Sequence, residues 1–150
     1  RIKGNQTMAF KMYQEYEKSL TSEINKFSIV SEKLLSLIDV EKTKSKRKSN
    51  FQTLHNLLGK FNTFNLDEIR EDDIPFSYPF LPNASFDKSL LYSSNIFVPT
   101  LWSDALHRNI TTKFETELSQ NLMPLPIDER YDEKDMRFMA EQIIKFLNHA

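Results

Sequence analysis

Apolar residues recur at helical spacing over the first sixty positions and gather into short runs afterwards. Ala9, Met12, Tyr13, Tyr16 and Leu20 outline an amphipathic helix over 8–20. Ser28 can cap a second helix through Asp39, with Ile29, Val30, Leu34, Leu35, Leu37 and Ile38 as its apolar set. A third runs from Val40 to Gly59; its second half is amphipathic at Phe51, Leu54, Leu57 and Leu58, and Gly59 suits a left-handed helix end. An acidic connector follows, with Asp67, Glu68, Glu71, Asp72 and Asp73.

Beyond it the pattern becomes mixed. Ile74–Leu81 reads as a strand with Phe76, Tyr78 and Phe80 on one face. Ser85–Ser94 reads as a short helix carrying Phe86, Leu90 and Leu91, ended by Asn95 in the left-handed conformation. Ile96-Phe97-Val98 reads as a second strand stopped by Pro99, and Thr100–Leu106 as a loop. Thr112–Ser119 is expected to be helical with Phe114 and Leu118 inward. Leu122–Ile127 contains two prolines, which suit an edge strand or extended segment because each lacks a ladder donor. Asp132 can cap a final helix with Glu133 and Asp135 in its first turn; Met136, Met139, Ala140, Ile143, Ile144 and Leu147 give it a buried face.

This order predicts an α+β fold: N-terminal helices, then a small, mainly antiparallel sheet formed by 74–81, 96–99 and 122–127, with helices packed on one face. The chain has 150 residues, 39% hydrophobic and 12% aromatic, enough for one domain with a real core. A net charge of −1 favours neither nucleic acid nor a membrane surface. No run is apolar enough to span a bilayer and no signal peptide is visible. Cysteine is absent, which removes disulfides and thiolate chemistry and fits a reducing compartment; a cytoplasmic location is expected. Because the sequence starts at Arg1, it is expected to be part of a longer protein.

Candidate chemistry is sparse. Lys42-Thr43-Lys44-Ser45-Lys46-Arg47-Lys48 carries no interleaved aromatic residue for stacking bases, so it reads as the solvated part of a long helix rather than a nucleic-acid surface. His55, His107 and His149 are isolated and form no ligand spacing, so no metal is expected. Two glycines, Gly4 and Gly59, exclude a Gly-rich phosphate loop. Three N-glycosylation sequons, at Asn5, Asn83 and Asn109, read as chance in an Asn-rich chain. The only tryptophan, Trp102, follows Pro99 and Thr100 and can either line a cleft or plug the edge of a core.

Several segments, in order, resemble the C-terminal part of the pyridoxal-phosphate-dependent sugar aminotransferases of the DegT/DnrJ/StrS group. Tyr13–Leu20 looks like the helix that follows the large domain in that family. Arg47-Lys48-Ser49-Asn50-Phe51 with Leu54, Leu57 and Leu58 resembles a long helix in which a basic pair precedes an Asn-Phe and spaced leucines. Tyr78-Pro79-Phe80 and Asn95–Trp102 resemble two small-domain strand segments, with Asn95 where the family usually has glycine. Leu118-Ser119, Leu125-Pro126-Ile127 and Asp132–Met136 resemble its closing strand and capped helix.

The resemblance implies a division at residue 61. Residues 1–61 would link from a missing large domain, and 62–150 would form the small C-terminal domain. It implies a parent that passes an amine through pyridoxal phosphate to a sugar or sugar nucleotide, with a homodimer and the parent's own large domain as partners. No lysine here matches the Schiff-base position, so no catalytic or cofactor-binding residue is assigned and the segment alone is not expected to catalyse. Thr100, Leu101 and Trp102 are implied to face the substrate cleft. The alternative is a non-catalytic α+β interaction module using the lysine-rich helix or the Trp102 loop.

Overall fold

A computed structural model of the chain describes residues 6–21, 26–66, 70, 72–84, 86–108 and 112–148. They form two compact units, 1–38 and 39–150. The first contains α1 (Gln6–Ser19) and α2 (Ile29–Ser36). Ser28 caps α2 as expected, its hydroxyl accepting from the Ser31 N–H. No residue of α2 is buried: Ile29, Val30, Leu34, Leu35, Leu37 and Ile38 are all exposed, and so are Met12, Tyr13, Tyr16 and Leu20 on and beside α1.

The second unit is a mostly helical α+β arrangement built on a two-stranded sheet. Asp39 starts α3 (Val40–Leu58) by accepting from the Lys42 N–H. Gly59 does not take a left-handed conformation; its φ is −52°, and the helix tightens into a 3-10 turn over Gly59–Phe61. Tightening satisfies end carbonyls through shorter-range bonds, so no left-handed cap is needed. Strand β1 (Ser77–Phe80) pairs antiparallel with β2 (Met123–Pro126), and Pro79 faces Pro124. Facing prolines can occupy only a pair that exchanges no N–H bonds; alternation then gives the bonded positions to Tyr78–Leu125 and Phe80–Met123. The register therefore accommodates three prolines and sends Tyr78, Phe80, Met123 and Leu125 into the core, each 0% exposed.

Two strands alone are marginal. Here α3 and α6 (Glu133–Leu147) pack together, and α3 supports β1. Leu54 and Leu58 from α3, and Met136, Met139, Ala140 and Ile143 from α6, complete the core. Asp132 caps α6 within a reciprocal box with Asp135, as the acidic first turn suggested; the backbone N–H groups it accepts from hold its carboxyl below the usual range.

Four local expectations are corrected. Ile96–Val98 is not a third strand: Ile96 and Val98 are buried and Phe97 points outward, but the Ile96 N–H caps the preceding helix on Leu91 O and Pro99 follows at once, leaving too little backbone for a ladder. Phe76 precedes β1 and is exposed, lying 5.9 Å from the Arg47 guanidinium. The helix expected from Ser85 is the single turn α4 (Ser89–Ser93), because Asp87 accepts from the Ser89 N–H and hydroxyl and starts the turn late; of its apolar residues Leu91 is buried and Leu90 exposed. In α5 (Lys113–Asn121), Leu118 is half-buried, but Phe114 is exposed and Ser119 faces in. Asp67, Glu68, Glu71, Ser85, Asn109 and His149 lie outside the described residues.

Candidate functional site

The loop after α4 is fixed by its ends. Asn95 adopts the left-handed conformation expected of it, with φ 58°. Buried Ile96 and Val98 pin the segment, and outward Phe97 stacks on Tyr92 with ring centroids 5.9 Å apart. Beyond Pro99 the chain reaches solvent. Thr100 is exposed, Leu101 is half-buried and Trp102 is 68% exposed, so Trp102 does not plug the core. Trp102 has φ 52° and opens a 3-10 turn (Ser103–His107), its carbonyl accepting from the Ala105 N–H. A left-handed backbone under so large a side chain is strained. The turn is tied by an ion pair between Arg108 and Asp104, which holds the Asp104 carboxyl below its ordinary range.

A second constellation joins α3 to the turn between β2 and α6. Asn50 is 1% exposed, and its amide donates to the carbonyls of Ile127 (3.2 Å), Asp128 (3.2 Å) and Tyr131 (3.1 Å). Arg47, one turn earlier, donates to the Phe76 carbonyl at 3.1 Å and lies 3.8 Å from the Glu129 carboxylate. In the turn itself, Arg130 grips Asp128 through two bonds of 2.6 and 3.0 Å, which lowers the Asp128 pKa. The lysine-rich run is therefore not a uniform solvated face, because Arg47 leaves it to clasp two distant segments. Asn62 performs a similar task at the far end of β1: its amide donates to the Pro79 carbonyl and its oxygen accepts from the Leu81 and Phe64 N–H groups. The sequence signal for Asn50 is its register, one turn before Leu54 and two before Leu58 on the inward face of α3. Nothing comparable marked Asn62.

The third feature is a groove of about 340 Å3 beside α3, lined by Lys48, Phe51, Gln52 and His55 on the helix and by Leu66, Arg70, Asp73 and Pro75 opposite. The Phe51 and His55 rings are nearly parallel, 18° apart with centroids at 6.3 Å. Tyr78 meets Phe51 edge-on at 5.0 Å, and its hydroxyl lies 3.4 Å from His55 Nδ1. Burial pushes the Tyr78 phenol pKa up. Asp73 accepts the Arg70 backbone N–H and lies 3.5 Å from its guanidinium, so its carboxyl is held low, with Lys48 contributing from across the groove.

A pyridoxal phosphate site needs an amine to form a Schiff base, an acid for the pyridine nitrogen and a cradle for phosphate. Half-buried Lys88 has its pKa lowered by desolvation, but its Nζ donates to the Leu122 carbonyl at 3.0 Å. A second cleft, lined by Thr63, Asn83, Phe86, Glu117 and Asn121 among others, has no cation in its lining, while a third beside the start of α6 is lined by Lys46, Lys134 and Arg137 together with Asp132 and Glu133. Among the described residues no three His, Asp or Glu side chains converge on a common metal position, and no helix is long and apolar enough to cross a membrane. The chain matches no known protein-family model, no curated protein and no solved structure.

Proposed function

We propose that residues 62–150 are the small C-terminal domain of a pyridoxal-phosphate-dependent protein of the sugar aminotransferase type, with 1–61 leading in from the large domain, supporting a sugar or sugar-nucleotide site without performing the chemistry itself. The observation that carries this reading is convergence. The basic pair and Asn50 of α3, the Tyr78–Phe80 strand, the Leu125–Ile127 segment and the Asp132-capped helix resemble the family separately in sequence, and they meet here in one core and one hydrogen-bonded clasp. The cofactor and its lysine belong to a large domain of the same protein, and a homodimer is the proposed assembly.

In this reading Trp102 and Thr100 extend the site toward substrate. An exposed indole offers a flat apolar face and one N–H donor, a combination suited to a sugar ring. The decisive measurement is on the intact gene product, purified from its source. Borohydride should fix pyridoxal phosphate to one lysine outside residues 1–150, and Trp102→Ala should weaken keto-sugar amination while cofactor loading is unchanged. An intact product that loads no cofactor would discard the reading. The exposed apolar side chains of α2 favour the second reading, a non-catalytic interaction module, and that result would leave it standing.

A further inference from the structure

A cleft of about 490 Å3 between the segment after β1 and helix α5 takes no part in the reading above. Its volume lies within the range of small-molecule sites. One wall is fixed by backbone. The Thr63 N–H and hydroxyl both donate to the Leu81 carbonyl, and the Asn83 N–H donates to the Phe61 carbonyl. Asn62 and Pro82 form a bridge between the same two segments. Phe86 stands beside this wall, half-buried and met edge-on by Phe146, with ring centroids 6.3 Å apart. The facing wall is α5, where Glu117 and Asn121 are one turn apart and so share a face.

The lining has one electrostatic sign. Glu117 is its only charged side chain, and that carboxylate makes no hydrogen bond or ion pair with a described residue. Helix α5 has no basic residue in its last turn, so the partial negative charge of its carbonyl end is not offset from within the helix. Lys88 is held at the Leu122 carbonyl, one residue beyond α5, and is not part of the lining. The amide oxygens of Asn83 and Asn121 and the Thr63 oxygen add acceptors, and Phe86 adds the negative face of a ring. We propose that this cleft binds a small aliphatic primary amine as its ammonium, with the charged end at Glu117 and the hydrocarbon chain along Phe86, Leu81 and Pro82. One aromatic ring is too few for the cage that holds a quaternary ammonium. Several oxygen acceptors around one carboxylate match the three N–H donors of a primary one.

The test is a heteronuclear NMR titration of the whole chain at neutral pH with pentylamine, tetramethylammonium, pentanol and glucose. Pentylamine should shift amides in 81–84 and 117–121 saturably. Pentanol has the chain without the charge, and tetramethylammonium has the charge without N–H donors. Each should bind about tenfold more weakly, the factor that roughly 1.4 kcal/mol from one charged hydrogen bond supplies. Glu117→Gln should weaken pentylamine by the same factor and leave pentanol unchanged; Glu117 is exposed, so the melting of this variant should not move. Phe86→Leu, which keeps an apolar side chain in the cleft, should weaken pentylamine more than pentanol. The proposal is overturned if pentylamine gives no localised saturable shifts, if pentanol, tetramethylammonium or glucose binds as tightly as it does, or if Glu117→Gln leaves its affinity unchanged.

Discussion

Asn50 carries a polar amide into the centre of a core, where an amide without partners is costly. Its Nδ2 instead serves three carbonyls of the β2–α6 turn, and every described buried side-chain nitrogen and oxygen has a partner. Asn50→Ala should therefore destabilise the protein by about 2–4 kcal/mol, more than the lost packing alone, because the turn carbonyls that share its two N–H donors lose them together. Chemical denaturation measures it; a cost below about 1 kcal/mol would mean that water replaces the amide without penalty. Trp102 presents the opposite case. Its indole is mostly in solvent while its backbone is left-handed, so it contributes strain and little burial. Trp102→Gly should raise the melting midpoint by about 3 °C through relief of roughly 1 kcal/mol of strain, whereas a plug in the core would lower it steeply.

Elements in this chain differ in what holds them. Helix α6 has a capping box at its start and four buried apolar side chains, so local and tertiary forces agree. Helix α3 shifts character along its length: a charged first half, then Asn50, Leu54 and Leu58 turned inward. Helix α2 has a sound cap but no buried residue, although six of its apolar side chains in and just beyond the helix face solvent. Contiguous apolar surface of this kind invites association. The isolated chain should therefore self-associate in a concentration-dependent way, and Val30→Glu with Leu34→Glu should shift it to monomer in sedimentation velocity without changing the melting of the 39–150 core. A wild-type chain that stays monomeric at high concentration would contradict this.

At the scale of the molecule, residues 1–38 and 39–150 form separate compact units, and the apolar material of the second is gathered into one core beneath the two-stranded sheet. Local chemistry was legible in the sequence wherever a short-range rule decides it. Ser28 and Asp132 cap their helices because a side-chain oxygen reaches an N–H two or three residues away. Asn95 turns left-handed, and Met136, Met139, Ala140 and Ile143 face inward at helical spacing. The prolines of Met123–Pro126 suit an edge strand, and the segment is one in the two-stranded sheet. What only the tertiary structure decided depends on partners far along the chain. Ile96 and Val98 are buried yet find no strand to pair with, Phe76 and Phe114 are apolar yet stay exposed, and Arg47 abandons its charged run for carbonyls and a carboxylate some thirty and eighty residues away. The groove beside α3 belongs to this second class as well. Its helix wall has a period that a sequence can show, but Arg70, Asp73 and Tyr78 reach it only through the path of the intervening chain, which no local preference specifies.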